Sequence, residues 1–322
     1  KLQAPDRERQ NTWHKWLGTA PDRQLITRGS TSYPRLLAEL PDAPLALWVQ
    51  GSRTDLLNSP QLAMVGSRSP TANGRETAER FARYFSVRGL TITSGLATGI
   101  DGASHRGALA GTAGTIAVLD SGPDQLYSRS LEDLATEIIA DGLIVSEYPP
   151  GTSTHRCHLP QRNRIIAGMT TGTLVVEAAR RSSSLITARL AGEYGREIFA
   201  IPGSIHNPMT KGCHRLIRDG AKLVEDAADV LVELAPLLQI AVDTDELCLQ
   251  STEENSHALT NEPGYEKLLA ALRFDPCGIN VLAARTELTA AELSSMLLLL
   301  EMEGLVEALP GGRYSLASKR AP

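Results

Sequence analysis

From residue 61 onward, short apolar runs alternate with segments of helical period. The runs are Leu62–Val65, Leu90–Thr93, Thr115–Leu119, Leu143–Val145, Thr173–Val176, Glu197–Ile201 and Lys222–Val224. Between them lie helical stretches such as Arg75–Arg88, Leu131–Asp141 and Leu185–Tyr194. Continuous apolar strands separated by helices predict a parallel sheet covered on both faces, so residues 61–235 read as one α/β domain with a doubly wound sheet. Gly or Ser follows several runs directly, at Gly66-Ser67, Ser94-Gly95, Ser121-Gly122, Ser146 and Pro202-Gly203. In an open α/β sheet the ligand sits beyond the carboxyl ends of the strands, so these loops form one candidate edge.

The flanks read differently. Residues 1–60 combine a polar, helix-like start, a proline-punctuated stretch from Ser32 to Pro44, and the apolar run Leu45–Val49 ending near Gly51. This predicts a small N-terminal cap region leading into a strand. The chain starts at Lys1 rather than Met, which fits a numbering that begins inside a longer natural chain. Residues 236–261 hold 5 acids and no basic residue and run into Ser251-Thr252-Glu253-Glu254-Asn255-Ser256, the composition of a linker. Beyond it come helical patterns near Tyr265–Leu272, Ile279–Arg285 and Thr289–Glu303. A hairpin pattern follows, turning at Pro310-Gly311-Gly312. Three helices and a hairpin make residues 262–322 a small winged-helix domain, and Thr289-Ala290-Ala291-Glu292 supplies a capping box for its third helix.

Apolar residues make up 42 % of the chain, enough for a sizeable core, while aromatic residues make up only 4 %, too few for a nucleic-acid binder that works mainly by stacking many bases. The net charge of −5 argues against a polycation that coats DNA. The linker alone carries that much negative charge, however, and residues 61–235 balance 18 basic against 18 acidic side chains. Of the 32 cations 26 are Arg, the better bidentate partner for phosphate, although a GC-rich genome produces the same skew. Four cysteines at 157, 213, 248 and 277 form no close-spaced framework and read as reduced thiols of a cytoplasmic protein. No apolar run reaches the ~18 residues of a membrane span, and no signal-peptide core opens the chain.

The first strand-end loop is Gly66-Ser67-Arg68-Ser69-Pro70; the second, Ser94-Gly95-Leu96-Ala97-Thr98-Gly99-Ile100-Asp101, runs into a helix. Glycine lets a backbone approach closely, Arg forks onto phosphate, and a helix N-terminus favours anions, so both loops read either as anion cradles or as plain tight turns. Neither is a dinucleotide fingerprint, and no G-x-x-x-x-G-K-[ST] occurs, so no nucleotide cofactor and no ATP hydrolysis is implied. Asp101 and His105 share a helix face, as a catalytic acid–base pair or with Asp101 simply capping the helix. His155-Arg156-Cys157-His158 and Cys213-His214 lack structural-zinc spacing, and no metal is expected. In Pro160–Gly168, Arg162 and Arg164 flank Asn163 at the entry to an apolar helix. They either point at the ligand edge or form ion pairs with acids such as Glu147 or Glu177.

Several of these segments recur together in one family. Gly66-Ser67-Arg68, Ser94 to Asp101, Ser146-Glu147-Tyr148, Pro160 to Gly168, Leu185-Ile186-Thr187-Ala188, Pro202-Gly203-Ser204 and Gly212 to Ala221 stand in that family's order and spacing. On these residues the chain resembles the DNA-processing protein A (DprA/Smf) family. The resemblance is dense over about 62–235, and the winged helix is similar to the C-terminal domain of many members. Residues 1–60 resemble the tail of the family's small helical domain, truncated.

The resemblance implies an extended Rossmann-like domain that binds single-stranded DNA and forms a homodimer. It further implies loading of the RecA recombinase, in natural transformation where that occurs, with no catalytic step, no cofactor and no membrane. It places Arg68 on the DNA, and also Arg129, after Tyr127-Ser128. Here the chain departs from the family, with Ser128 and Leu131 at its usual Pro and Asn and Ser121-Gly122-Pro123 at its usual Gly-Cys. Ser182-Ser183-Ser184 likewise stands where the family has Ser-Gly-Ser. The expected interface is Arg68, Arg129, Arg162 and Arg164 on phosphates, with Asn163 on a base edge or holding the loop. Gly66, Ser67, Ser94, Gly95 and Gly99 let backbone N–H groups approach the strand.

Two rivals stand beside it. Thr171-Gly172-Thr173 through Glu177 echoes the loop of Rossmann-type nucleotide phosphoribohydrolases, which would use Glu177 on a nucleoside monophosphate. The other is a DNA-free regulator acting through the winged helix. That domain's 6 basic and 8 acidic residues favour protein contact over a duplex groove.

Overall fold

A computed structural model of the chain describes residues 7–125, 131–238, 263–272, 276–286, 288–303 and 305–316. They form two compact units, the first running from the first helix to the ninth except for Ser204–Asn207, and the second from the tenth helix to the last strand, grouped with Ser204–Asn207.

The first unit is built on a nine-stranded sheet. Its elements in chain order are α1 (Arg7–Thr19), β1 (Arg23–Thr27), α2 (Arg35–Ala38), β2 (Ala46–Gln50), β3 (Gln61–Val65), α3 (Ala72–Val87), β4 (Thr91–Ser94), α4 (Ile100–Leu109) and β5 (Thr115–Leu119). There follow α5 (Glu132–Asp141), β6 (Leu143–Ser146), α6 (His158–Met169), β7 (Gly172–Val175), α7 (Ser184–Glu193), β8 (Glu197–Ala200), α8 (Lys211–Arg218), β9 (Lys222–Leu223) and α9 (Ala227–Leu238). The strand order is β1-β2-β6-β5-β4-β3-β7-β8-β9. The seven strands from β6 to β9 are parallel, as the alternating pattern predicts.

Because successive strand residues point to opposite faces, β3 feeds two cores. Leu62 and Met64 pack with Ala78, Ala82 and Phe85 of α3 and with Val230 and Leu234 of α9. Ala63 and Val65 join Ile165, Ile166 and Met169 of α6, together with Leu37 and Ala188, on the other side. The chain steps outward from β3 through β4 and β5 to β6, then returns along α6 to place β7 on the far side of β3. Loops leaving β3 and β7 therefore part in opposite directions, which makes this the topological switch point where such sheets take ligands.

Residues 1–60 do more than cap this domain. β2 pairs antiparallel with β6, in the register Trp48↔Ser146 and Val49↔Val145, and β1 pairs antiparallel with β2. The sheet thus gains two strands at one edge, and Trp13 and Trp16 of α1 pack their rings against Trp48 at 5.8 and 5.9 Å between centroids. Among the described residues no helix is long and apolar enough to cross a membrane.

The second unit comprises α10 (Pro263–Leu272), β10 (Cys277–Gly278), α11 (Ile279–Thr286), α12 (Ala290–Met302), β11 (Val306–Leu309) and β12 (Arg313–Leu316). It is the winged helix that the hairpin pattern predicts, with β10 as an additional strand in the order β10-β12-β11. Leu268, Leu282, Leu293, Leu297 and Leu300 form its own core. Thr289 closes the expected capping box, accepting from the Glu292 N–H while the Glu292 carboxylate accepts from the Thr289 N–H.

Candidate nucleic-acid interface

At the carboxyl edge three loops are laced together by their own backbone. The Ser67 N–H donates to the Glu177 carbonyl (2.7 Å), the Ile100 N–H to the Ser67 carbonyl (3.0 Å), and the Ser184 hydroxyl to the Gly66 carbonyl (2.7 Å). Loops after β3, β4 and β7 are thereby held as one rigid rim. Between them lies a cavity of about 30 Å³ lined by Gly66, Arg68, Asp101, Arg162, Asn163 and Ser184, among others. It has room for a water or a phosphate oxygen but not for a base with its ribose.

Arg162 forms the floor. It is 6 % exposed, and its Nη2 donates to the Gly95 carbonyl at 3.0 Å, while its Nε is buried without a partner. The guanidinium lies so close over Gly95 that a Cβ there would meet Nη1 at 1.7 Å, which is why the position holds glycine. Burial lowers the Arg162 pKa, and Asp101, the largest opposing influence, raises it. Asp101 is also 6 % exposed; burial raises its pKa, against the Arg162 charge and the amides of Ala97 and Gly95. Each group offsets part of the other's burial through its charge, at the mouth of the switch point.

Around this floor the polar groups sort into scaffold and free cations. Arg68 is exposed, and its guanidinium makes no hydrogen bond or ion pair with a described residue. The other predicted groups differ from expectation because protein atoms already occupy them. The Ser67 N–H is committed to Glu177, and its hydroxyl accepts from the Ser69 N–H at 3.0 Å. Ser94 is fully buried and donates to the Met64 carbonyl at 2.6 Å. Gly95 faces Arg162, and Gly99 packs its α-carbon against the backbone of Ser67 and Arg68. Asn163 is buried and donates to the Ser183 carbonyl at 3.4 Å, so it holds the loop and reads no base. Arg164 is corrected most plainly. Its guanidinium donates to the Asp42 carbonyl and pairs with Glu147, both at 2.5 Å, the structural alternative weighed for it from sequence. Arg129 lies outside the described residues.

Three cations absent from the sequence list stand at the same edge. Arg156 precedes α6, and Arg180 and Arg181 sit in the loop after β7; all three are exposed and without a side-chain partner among the described residues. The strand-end rule that picked out Arg68 after β3 applies equally to Arg180-Arg181 after β7.

The catalytic alternatives lose their groups to the scaffold. His105 is fully buried; its Nε2 accepts from the Leu96 N–H (3.3 Å) and its Nδ1 donates to the Thr115 hydroxyl (2.7 Å). Burial, and then the Arg162 charge, push its pKa down to about 3, so it is a neutral packing group and no proton carrier at pH 7. Glu177 does not line the cavity. Its two carboxylate oxygens accept from the Thr71 N–H (2.9 Å) and hydroxyl (2.7 Å), anchoring the start of α3.

The chain as a whole is similar to known proteins. Residues 24–235 match the family described as DNA recombination-mediator protein A, and residues 250–312 match the DprA winged helix domain. Protein Smf of Escherichia coli (strain K12) is 40 % identical over 302 residues, covering 94 % of this chain and 79 % of that protein. DNA processing protein DprA of Streptococcus pneumoniae is 46 % identical over 201 residues, covering 62 % of this chain and 71 % of that one. The X-ray structure of the pneumococcal protein superposes with a TM-score of 0.65 at 41 % identity, covering 71 % of this chain and 78 % of that one. DNA processing protein A of Helicobacter pylori, whose structure concerns a unique single-stranded DNA binding mode, gives a TM-score of 0.60 at 27 % identity over 66 % of this chain and 96 % of that one. With both units matched in order, the chain belongs to the DNA recombination-mediator protein A family.

Proposed function

We propose that this chain binds single-stranded DNA along the carboxyl edge of its sheet, without a catalytic step. The observation that carries the reading is Arg68, exposed, without a side-chain partner among the described residues and lining the cavity floored by Arg162, with the exposed Arg156, Arg180 and Arg181 in loops at the same carboxyl edge. Unpaired guanidiniums on a rigid rim neutralise phosphates with little ordering cost, whereas the charge balance of residues 61–235 keeps the contact confined to that rim. The single-stranded DNA binding of the Helicobacter relative, alike in fold, supports the same ligand here.

In a salt-titrated assay on single-stranded oligomers, Arg68→Ala is expected to weaken binding across sequences and to lower the slope of log K against log salt by about one unit. An unchanged affinity and slope would remove Arg68 from the phosphate path.

Family membership supports the finer reading, a cytoplasmic mediator that loads RecA onto the bound strand during natural transformation. It works as a homodimer through the Rossmann-like unit. For the dimer we favour the β9 edge, where the terminal strand has one neighbour and Leu223 is 47 % exposed beside Ile217 and Pro202. Leu223→Asp is then expected to shift the sedimenting species from dimer to monomer; an unshifted dimer would move the interface elsewhere. The winged helix takes a protein-contact role, since α12 (AAELSSMLLLLEM) carries no basic residue and exposes Leu298, Leu299 and Met302.

A further inference from the structure

Three rings gather at the same carboxyl edge, outside the arginine-floored cavity. Tyr148 follows β6, His158 opens α6, and His155 lies in the segment joining them. The Tyr148 and His158 rings stack with centroids 4.0 Å apart and planes 21° from parallel. His155 leans against the stacked pair at a tilt, its centroid 5.7 Å from that of His158 and its plane 53° away, so its own outer face is turned outward. Each ring is anchored from its far side. The Tyr148 hydroxyl donates to Gln161 Oε1, His158 Nδ1 donates to the Asp120 carbonyl at 2.9 Å, and His155 Nδ1 lies 2.9 Å from Cys157 Sγ. Tyr148 and His158 are half-buried, whereas His155 and the adjoining Arg156 are exposed.

The cluster is built as a stack and not as a chelate. With Nδ1 on a backbone carbonyl and its face on Tyr148, His158 is not turned toward His155 and Cys157 as a ligand. Among the described residues no three His, Cys, Asp or Glu side chains converge as a metal site. What remains is a short column of π-faces with its outer ring open to solvent and a free guanidinium alongside. Exposed aromatic platforms beside cations are how single strands are held without regard to sequence, because every base has a π-face.

We propose that this column is a nucleobase-stacking subsite: one base of a bound single strand caps the His155 ring while Arg156 takes the adjacent phosphate. The inference rests on the single-stranded DNA reading and deepens it, adding base contact to a site otherwise made of phosphate contacts. It also fits a chain poor in aromatics, since it asks for one stacked base and not many. Because the rings are already anchored, little rotamer entropy is lost when the base arrives.

The test uses the full chain and two oligomers of equal length, one of thymidine and one with an abasic backbone. The wild-type chain is expected to bind the thymidine oligomer about five-fold or more tightly than the abasic one. His155→Ala should erase most of that preference while leaving abasic binding and the salt slope unchanged, and His155→Phe should restore it. A 2-aminopurine placed along the strand should show one position whose fluorescence is quenched by the wild-type chain and not by His155→Ala. If His155→Ala keeps the full preference, or weakens both oligomers in parallel, the stacking subsite is overturned while the DNA reading stands. If the wild-type chain binds neither oligomer, the DNA reading fails and the subsite with it.

Discussion

Arg162→Ala is expected to melt roughly 2–12 °C below the wild-type chain, because stranding a buried polar or charged group costs about 1–3 kcal/mol and each kcal/mol is worth roughly 2–4 °C in a domain of this size. The loss comes less from the Gly95 carbonyl contact than from Asp101, which keeps its burial and loses its principal countercharge. This makes the deficit depend on pH. Burial already holds the folded pKa of Asp101 above its unfolded value, and removing Arg162 raises it further. Between the unfolded value of about 3.9 and the raised folded value, the folded state binds more protons than the unfolded one. Stability attributable to Asp101 is therefore greatest below that window and falls as pH rises through it. The gap between variant and wild type should accordingly narrow as the pH is lowered toward the unfolded value, and Asp101→Asn added to Arg162→Ala should recover much of the loss at pH 7. Thermal melts across that pH range read this directly; a gap independent of pH would mean that Asp101 is not the group left stranded.

The same pair shows how far residue order carries and where it stops. Runs such as Thr115–Leu119 and Leu143–Val145 mark β5 and β6 because those strands are buried on both faces, so no polar alternation interrupts them. β1 escapes that reading: of Arg23–Thr27 only Ile26 is buried, as befits an edge strand. The switch-point loops are equally legible, since Gly and Ser directly after apolar runs have few other uses. Which of their polar atoms face a ligand is not legible, because that depends on partners distant in the chain. Arg164 is taken up by Asp42, 122 positions away, and Ser184 closes on Gly66 across 118. Arg68, Arg162 and Arg164 look alike as letters. Only the fold makes the first a free cation, the second a buried floor and the third a structural tie. Tyr148, His155 and His158 likewise carry no periodic signal; the turn before α6 is what stacks them.

Gly99→Ala is expected to abolish most single-stranded DNA binding although Gly99 presents no side chain to DNA. Its φ of +84° with ψ of −129° lies outside the left-handed helical well, in backbone space that L residues adopt only at a cost of about 1–3 kcal/mol. A Cβ there would also lie 2.3 Å from the Ser67 carbonyl oxygen and 2.7 Å from the Arg68 carbonyl carbon, both backbone atoms that cannot swing aside. Adding about 1–3 kcal/mol for overpacking gives a destabilisation of about 2–6 kcal/mol. It would be relieved by pushing the loop after β3 off the rim, and with it the hydrogen bond from the Ile100 N–H to the Ser67 carbonyl. Arg68 rides on that loop, so the variant should bind at least as weakly as Arg68→Ala. Gly89 is a control without collision: it also has a φ of +84°, but nothing lies within 4 Å of the Cβ it would acquire. Gly89→Ala should therefore lose only about 1–2 kcal/mol of stability and keep wild-type DNA affinity. Equal affinities for the two alanine variants, measured where both are folded by circular dichroism, would show that the β3 and β4 loops do not have to be zipped together to present Arg68.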